Sequence, residues 1–169
     1  MSKSRERWVI KAGSSLVAGN DDGINKLFIK NLVLQVSQLL EEGIQVIIVS
    51  SGAVAKGMHE LNLNERPDSL NLLQAAAAIG QLGLIDSYKS EFSNFEIKTA
   101  QVLISQDDIA NRERYLNARN SLMTLLELGV VPIINENDSV SIEEISFGDN
   151  DTLAGAIVGL TDADKFIML

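Results

Sequence analysis

Lys11 ends a short apolar run, Trp8-Val9-Ile10, and is followed by Ala12-Gly13-Ser14-Ser15. Gly13 lets the backbone approach a ligand closely, and the N–H groups after it can form an anion-binding nest. A lysine beside such a nest supplies a point positive charge, a pair suited to the charge that builds on a phosphoryl group in transfer. The stretch equally fits a strand-end lysine in solvent before an ordinary turn, and the chain holds no G-x-x-x-x-G-K-[ST] phosphate loop. A second turn, Ser50-Ser51-Gly52-Ala53-Val54, follows the most apolar run in the chain and leads into a helical pattern. Helix amino termini attract carboxylates and phosphates, so Ser51 is placed either to bind a substrate carboxylate or simply to cap the helix. Two polar clusters complete the set: Asn135-Glu136-Asn137-Asp138 after VVPII, and Gly148-Asp149-Asn150-Asp151 before another helical pattern. Acids there can hold an ammonium group, orient a lysine or bind a metal, although Asn and Asp also form Asx turns and caps with no ligand at all.

What decides between these alternatives is the scaffold. Apolar runs at residues 8–10, 45–49 (QVIIV), 97–104 (IKTAQVLI), 130–134 (VVPII) and 165–169 (KFIML) read as strands. Pro132 is an awkward guest in the fourth. Between them, helical spacing of apolar residues predicts helices from about residue 24 to 40, after the Gly52 turn, over 69–92, 112–128 and 151–160. Asn20-Asp21-Asp22 offers caps for the first, and Gly43 and Gly129 suit the stops. Strands alternating with helices argue for an α/β sandwich: a mainly parallel sheet with helices on both faces. Ligands in such sheets sit beyond the carboxyl ends of the strands. All four polar segments fall there, and their conjunction favours a small-molecule site.

Composition narrows the function classes. The chain has 169 residues, 46% of them hydrophobic, enough for a sizeable core. A net charge of −9 opposes general nucleic-acid binding, which needs a positive face, but leaves room for an anionic substrate held by one lysine and backbone N–H groups. Cysteine is absent, which removes disulfides, thiolate nucleophiles and Cys-type zinc sites. No apolar signal region follows the charged first residues, and no apolar run approaches the ~20 residues that cross a bilayer, so a soluble cytoplasmic protein is expected.

The ordered set K-x-G-S-S-L (Lys11 to Leu16), S-S-G-A-V with Gly57, N-E-N-D and G-D-N-D resembles the amino-acid kinase family. Within it the resemblance is to the branch that phosphorylates glutamate. Residues 74–81 (QAAAAIGQ) and 112–119 (RERYLNAR) match the same branch, so the likeness covers essentially the whole chain. It implies a three-layer α/β/α sandwich that transfers the γ-phosphoryl of ATP, bound with Mg2+, to the side-chain carboxylate of glutamate, the first step of proline biosynthesis. Carried over, Lys11 contacts the transferring phosphoryl with Gly13 and Ser14 shaping the nest. Ser51, Gly52, Ala53, Asp138 and Asn150 bind glutamate, and Asp151 orients Lys11. No metal ligand is assigned. The resemblance further suggests a dimer or tetramer and feedback inhibition by proline. Ala12 and Ser14 stand where the family often has a larger apolar residue and a threonine.

A chain that stops on an apolar strand is expected to be the amino-terminal, glutamate-binding portion of the domain. The rest of the ATP site, a second lysine and any accessory domain would then follow Leu169, and residues 1–169 alone would be inactive. Two other readings stay open: another family enzyme acting on acetylglutamate or aspartate, and a non-catalytic amino-acid-binding module. His59 is expected at the surface, and Arg112, Arg114 and Arg119 on a solvated helix face ahead of the alternative, an interface.

Overall fold

The computed structural model describes residues 5–19, 22–140 and 150–169. Five strands pair in the order β3-β4-β2-β1-β5: β1 (Arg7–Ala12), β2 (Gln45–Ser50), β3 (Thr99–Ile104), β4 (Val131–Glu136) and β5 (Lys165–Met168). Every pairing is parallel, and the central register sets Lys11 opposite Val49 and Ala12 opposite Ser50. Parallel strands buried on both faces are apolar throughout, and QVIIV is the example here. The carboxyl ends of β1, β2, β4 and β5 therefore share one edge, and each is followed by a polar segment or a chain end.

Alternation along the strands divides the core between the two faces. Ile10, Val46, Ile48 and Ile133 pack under α2 (Lys26–Glu41) and α4 (Leu70–Ser93), against Ile29, Val33, Leu84, Tyr88 and Phe92. Val9, Ile47, Val49 and Ile134 pack on the other face against Leu122 and Leu126 of α6 (Arg112–Glu127) and Ile157 and Leu160 of α7 (Asp151–Thr161). Each of these buried side chains contributes about 1.5–3 kcal/mol. Pro132 is tolerated because the Val131 N–H bonds Lys98 on the β3 side, so the missing Pro132 donor faces β2, whose ladder with β4 begins only at Ile133.

Two short helices escape sequence reading: α1 (Ser14–Val17) and α5 (Gln106–Ala110), the latter opened by a Ser105–Asp108 capping box. The proposed cap residues Asn20 and Asp21 lie outside the described residues. Asp22 does not cap α2; Asn25 does, accepting from the Phe28 N–H. Asp22 instead pairs with Lys26 and with the nearly buried Lys56, and these cations hold its carboxyl down at about 2. His59 and Arg112 are exposed as expected. Arg119 departs from the solvated face: it donates to the Leu160 carbonyl and to Asp162, closing the carboxyl end of α7.

The backbones of α3 (Ala53–Glu60) and α4 pack directly against each other. A Cβ on Gly57 would stand 1.7 Å from the Ala76 carbonyl oxygen, and one on Gly80 would stand 1.9 Å from that of Ala53. The two backbones touch where only glycine fits. This seam pins the start of α3, and with it the Ser51–Ala53 turn, against the middle of α4.

Candidate active site

Lys11 lies within β1 rather than in the turn after it, and the alternation that buries Val9 among the α7-side residues carries Lys11 to the same side. Only 7% exposed, it directs Nζ to 2.6 Å from Asp151 Oδ1. Asp151 is the first residue of α7, where the helix dipole favours a carboxylate. Gly13 has an ordinary φ of −71°, so its glycine serves space rather than conformation. A Cβ there would meet the Lys11 ammonium at 3.2 Å and the Leu169 carbonyl at 3.4 Å. Ser14 opens the one-turn α1, whose first internal donors are the Leu16 and Val17 N–H groups to the Gly13 carbonyl. The Ser14 and Ser15 amides come before them.

Gly52 does require its glycine: φ is +111°, and a Cβ would come within 2.8 Å of Val17. Gly52 is the N-cap of α3 and makes no side-chain cap bond, so the capping role open to Ser51 is not taken up. Instead the Ser51 hydroxyl is buried without a hydrogen-bond partner, in a residue 5% exposed. Its backbone N–H is held by the Ala12 carbonyl, tying the ends of β1 and β2 together. Ala53 begins α3 with its side chain buried.

Asn150 caps α7 by position but donates elsewhere. Its Nδ2 reaches the Ser50 carbonyl and Asn135 Oδ1, both at 2.8 Å. Asn135 Oδ1 also accepts from the Glu136 N–H, and its Nδ2 donates to Gln81 Oε1 at 2.7 Å. Ser50 Oγ meets the buried Tyr88 hydroxyl at 3.0 Å, and burial pushes that phenol up to about 12. The ends of β2 and β4, the start of α7 and the middle of α4 are thus joined by one polar network. Asp138 lies just beyond β4 at the same edge; burial first, and then the Glu136 charge, raise its carboxyl to about 6, with Arg66 pulling the other way. Gly148 and Asp149 of the fourth cluster lie outside the described residues. Among the described residues, no group of three or more His, Asp or Glu is placed to hold a metal ion, and no helix is long and apolar enough to cross a membrane.

A strand-end lysine paired with a helix-start aspartate, beside a glycine turn and an asparagine network, can neutralise an anion in transfer while holding a polar acceptor next to it. The sequence profile of the Amino acid kinase family matches residues 6–169. The chain belongs to that family. The mainly parallel five-stranded sheet with helices on both faces agrees with its α/β fold. Among curated proteins it is 53% identical over 167 residues to the glutamate 5-kinase of Hydrogenovibrio crunogenus, covering 99% of this chain and 44% of that protein. It is 50% identical to the glutamate 5-kinase of Alcanivorax borkumensis, covering 98% and 44%, and 51% identical to that of Burkholderia vietnamiensis, covering 97% and 44%. The chain therefore spans less than half the length of these relatives.

Sequence reading gave Asn135 no role of its own and met Gln81 only as the end of QAAAAIGQ. A signal for Gln81 was present. Ala77, Leu84 and Tyr88 form the buried stripe of α4, and Gln81 is the polar residue interrupting it at helical spacing. Nothing in the sequence signals that Asn135, rather than Asn137, turns inward.

Proposed function

We propose that this chain is the acceptor-binding part of a glutamate 5-kinase, which transfers the γ-phosphoryl of ATP to the side-chain carboxylate of glutamate in the first step of proline biosynthesis. The observation that carries the reading is the 2.6 Å Lys11–Asp151 pair at the carboxyl edge of the sheet, beside Gly13 and the Ser51 turn. The names of the curated relatives support glutamate over acetylglutamate or aspartate.

A side-chain carboxylate is already ionised near neutral pH, so the nucleophile needs no general base. Rate enhancement then rests on in-line positioning and on neutralising the charge of the transferring group. Lys11 supplies that positive charge, Asp151 fixes where its ammonium sits, and Gly13 keeps the adjoining space clear. The Ser14 and Ser15 amides add donors for phosphate oxygens. Mg2+ arrives with ATP as part of the substrate. Ser51 and the Gly52 and Ala53 amides meet glutamate from the α3 turn, Asn150 from the α7 start, and Asp138 accepts from its ammonium group. L-proline as a feedback inhibitor and a homo-oligomeric state belong to the same reading, supported by the family resemblance alone.

The test is acyl-phosphate trapping. The intact protein, given MgATP and hydroxylamine, should form hydroxamate with L-glutamate and not with N-acetylglutamate or L-aspartate. Hydroxamate with one of the other two acceptors instead reassigns the substrate. None with any of them refutes the kinase reading.

A further inference from the structure

We propose that Gln81 is a substrate-binding residue whose side-chain amide donates from Nε2 to a carboxylate of the bound amino acid. The inference deepens the glutamate reading above and rests on it. Among the described residues, two buried side-chain polar atoms have no hydrogen-bond partner: Ser51 Oγ and Gln81 Nε2. Gln81 joins the polar network at the carboxyl edge of the sheet through its Oε1, and Ser51 adjoins it through its carbonyl, which accepts from Ser50 Oγ. Buried donors are almost always satisfied, so the unmet Gln81 Nε2 calls for an acceptor.

The orientation of the amide follows from groups that cannot be reversed. The Glu136 backbone N–H can only donate, so the Asn135 atom facing it at 2.9 Å is Oδ1. Asn135 Nδ2 must then face Gln81, and the Gln81 atom receiving it at 2.7 Å must be Oε1. The same logic turns Asn150 Nδ2 toward the Ser50 carbonyl. What remains on Gln81 is an NH2 group with two donors and no accepting capacity, in a residue 8% exposed. Its place is set by the glycine seam: the neighbouring Gly80 lies against the Ala53 carbonyl, and Leu84 lies within 4.0 Å of a Cβ built on Gly52. Gln81 therefore sits between the Ser51–Ala53 turn and the end of β4, the two segments assigned to glutamate. A donor-only group there calls for an oxygen acceptor, and the two carboxylates are the strongest acceptors the amino acid offers.

The experiment compares Gln81→Glu and Gln81→Met in the intact protein by calorimetric titration with L-glutamate, with its α-amide and with its γ-amide, L-glutamine. Gln81→Glu keeps an oxygen for Asn135 but sets a carboxylate against that of the ligand, whereas Gln81→Met removes both hydrogen bonds without adding repulsion. The expected result is a glutamate affinity about 30- to 100-fold weaker in Gln81→Glu and about tenfold weaker in Gln81→Met. If Gln81 acted only by holding Asn135, the order would reverse, with Gln81→Glu near wild type. Should Gln81→Glu fail to fold, the amides decide. Gln81→Met should shrink the wild-type preference for glutamate over one of the two amides by at least about fivefold, and that amide names the carboxylate bound. An unchanged preference over both overturns the inference. Wild-type protein that binds none of the three ligands overturns the glutamate reading itself, which keeps the two failures apart.

Discussion

Replacing Asp138 with Asn separates charge from shape at the proposed ammonium contact, and the raised carboxyl supplies a pH window in which to see it. Burial and the Glu136 charge place the Asp138 carboxyl at about 6, so it is largely ionised at pH 7.5 and largely neutral at pH 5. Only the ionised form attracts an ammonium group strongly, so the apparent Kd for L-glutamate should rise as pH falls through 6 and be roughly tenfold weaker by pH 5. The side-chain carboxylate of glutamate, near 4.3, stays mostly ionised over that interval. Asp138→Asn should weaken binding at pH 7.5 by about 10- to 100-fold, since a charge-assisted hydrogen bond is worth about 1.5–3 kcal/mol, and should flatten the pH dependence. Stability should move the other way. The folded protein binds this proton more tightly than the unfolded chain does, so Asp138 favours folding at low pH and that contribution is lost as pH rises from about 4 to about 6. Calorimetry with L-glutamate from pH 5 to 7.5, beside thermal unfolding without ligand, reads both limbs. A wild-type Kd flat across that range, or an Asp138→Asn variant with the wild-type affinity and profile, refutes the reasoning.

Lys11→Ala in the intact protein should lower kcat by roughly a hundred- to a thousand-fold with little effect on glutamate binding, because charge neutralisation in the transition state appears in kcat; steady-state kinetics with both substrates checks it. Ser51→Ala should weaken glutamate binding several-fold yet leave the unliganded protein equally or more stable, since its buried hydroxyl has no partner to lose; paired melting and titration measurements show whether the two effects part. Gly80→Ala would drive a Cβ to 1.9 Å from the Ala53 carbonyl oxygen and 2.3 Å from the Gly57 nitrogen, so α3 and the Ser51–Ala53 turn must shift. A loss of about 1–3 kcal/mol or more is expected, several degrees in Tm, together with weaker glutamate binding. Gly155→Ala, in the middle of α7 with nothing within 4 Å of its Cβ, should instead stabilise by about 0.5–1 kcal/mol in the same melting assay.

Much of this was written in local sequence. Apolar runs bounded by glycine and polar turns determine strands and helices through the neighbours of each residue, so QVIIV, the long α4 and the KFIML strand lie within a residue or two of their expected places. Their alternation also determines which strand ends gather at one edge, and Lys11, Ser51, Asn150 and Asp151 are found there. What local pattern could not determine is which of two competing partners each polar group takes. By residue type, Ser51 and Asn150 can each cap a helix as readily as bind a ligand. In the fold, neither side chain caps its helix: the Ser51 hydroxyl is left unmet, and Asn150 is drawn to Ser50 and Asn135, residues 100 and 15 positions away. Arg119 likewise turns from solvent to the end of α7 only because α6 and α7 share one face of the sheet. The Gln81 amide depends on the longest chain of such events. Gly57 and Gly80 must let two backbones touch, and β4 must run beside β2, before Asn135 can turn that amide and leave its NH2 group without a partner. Those are contacts between distant parts of the chain, and residue spacing carries no record of them.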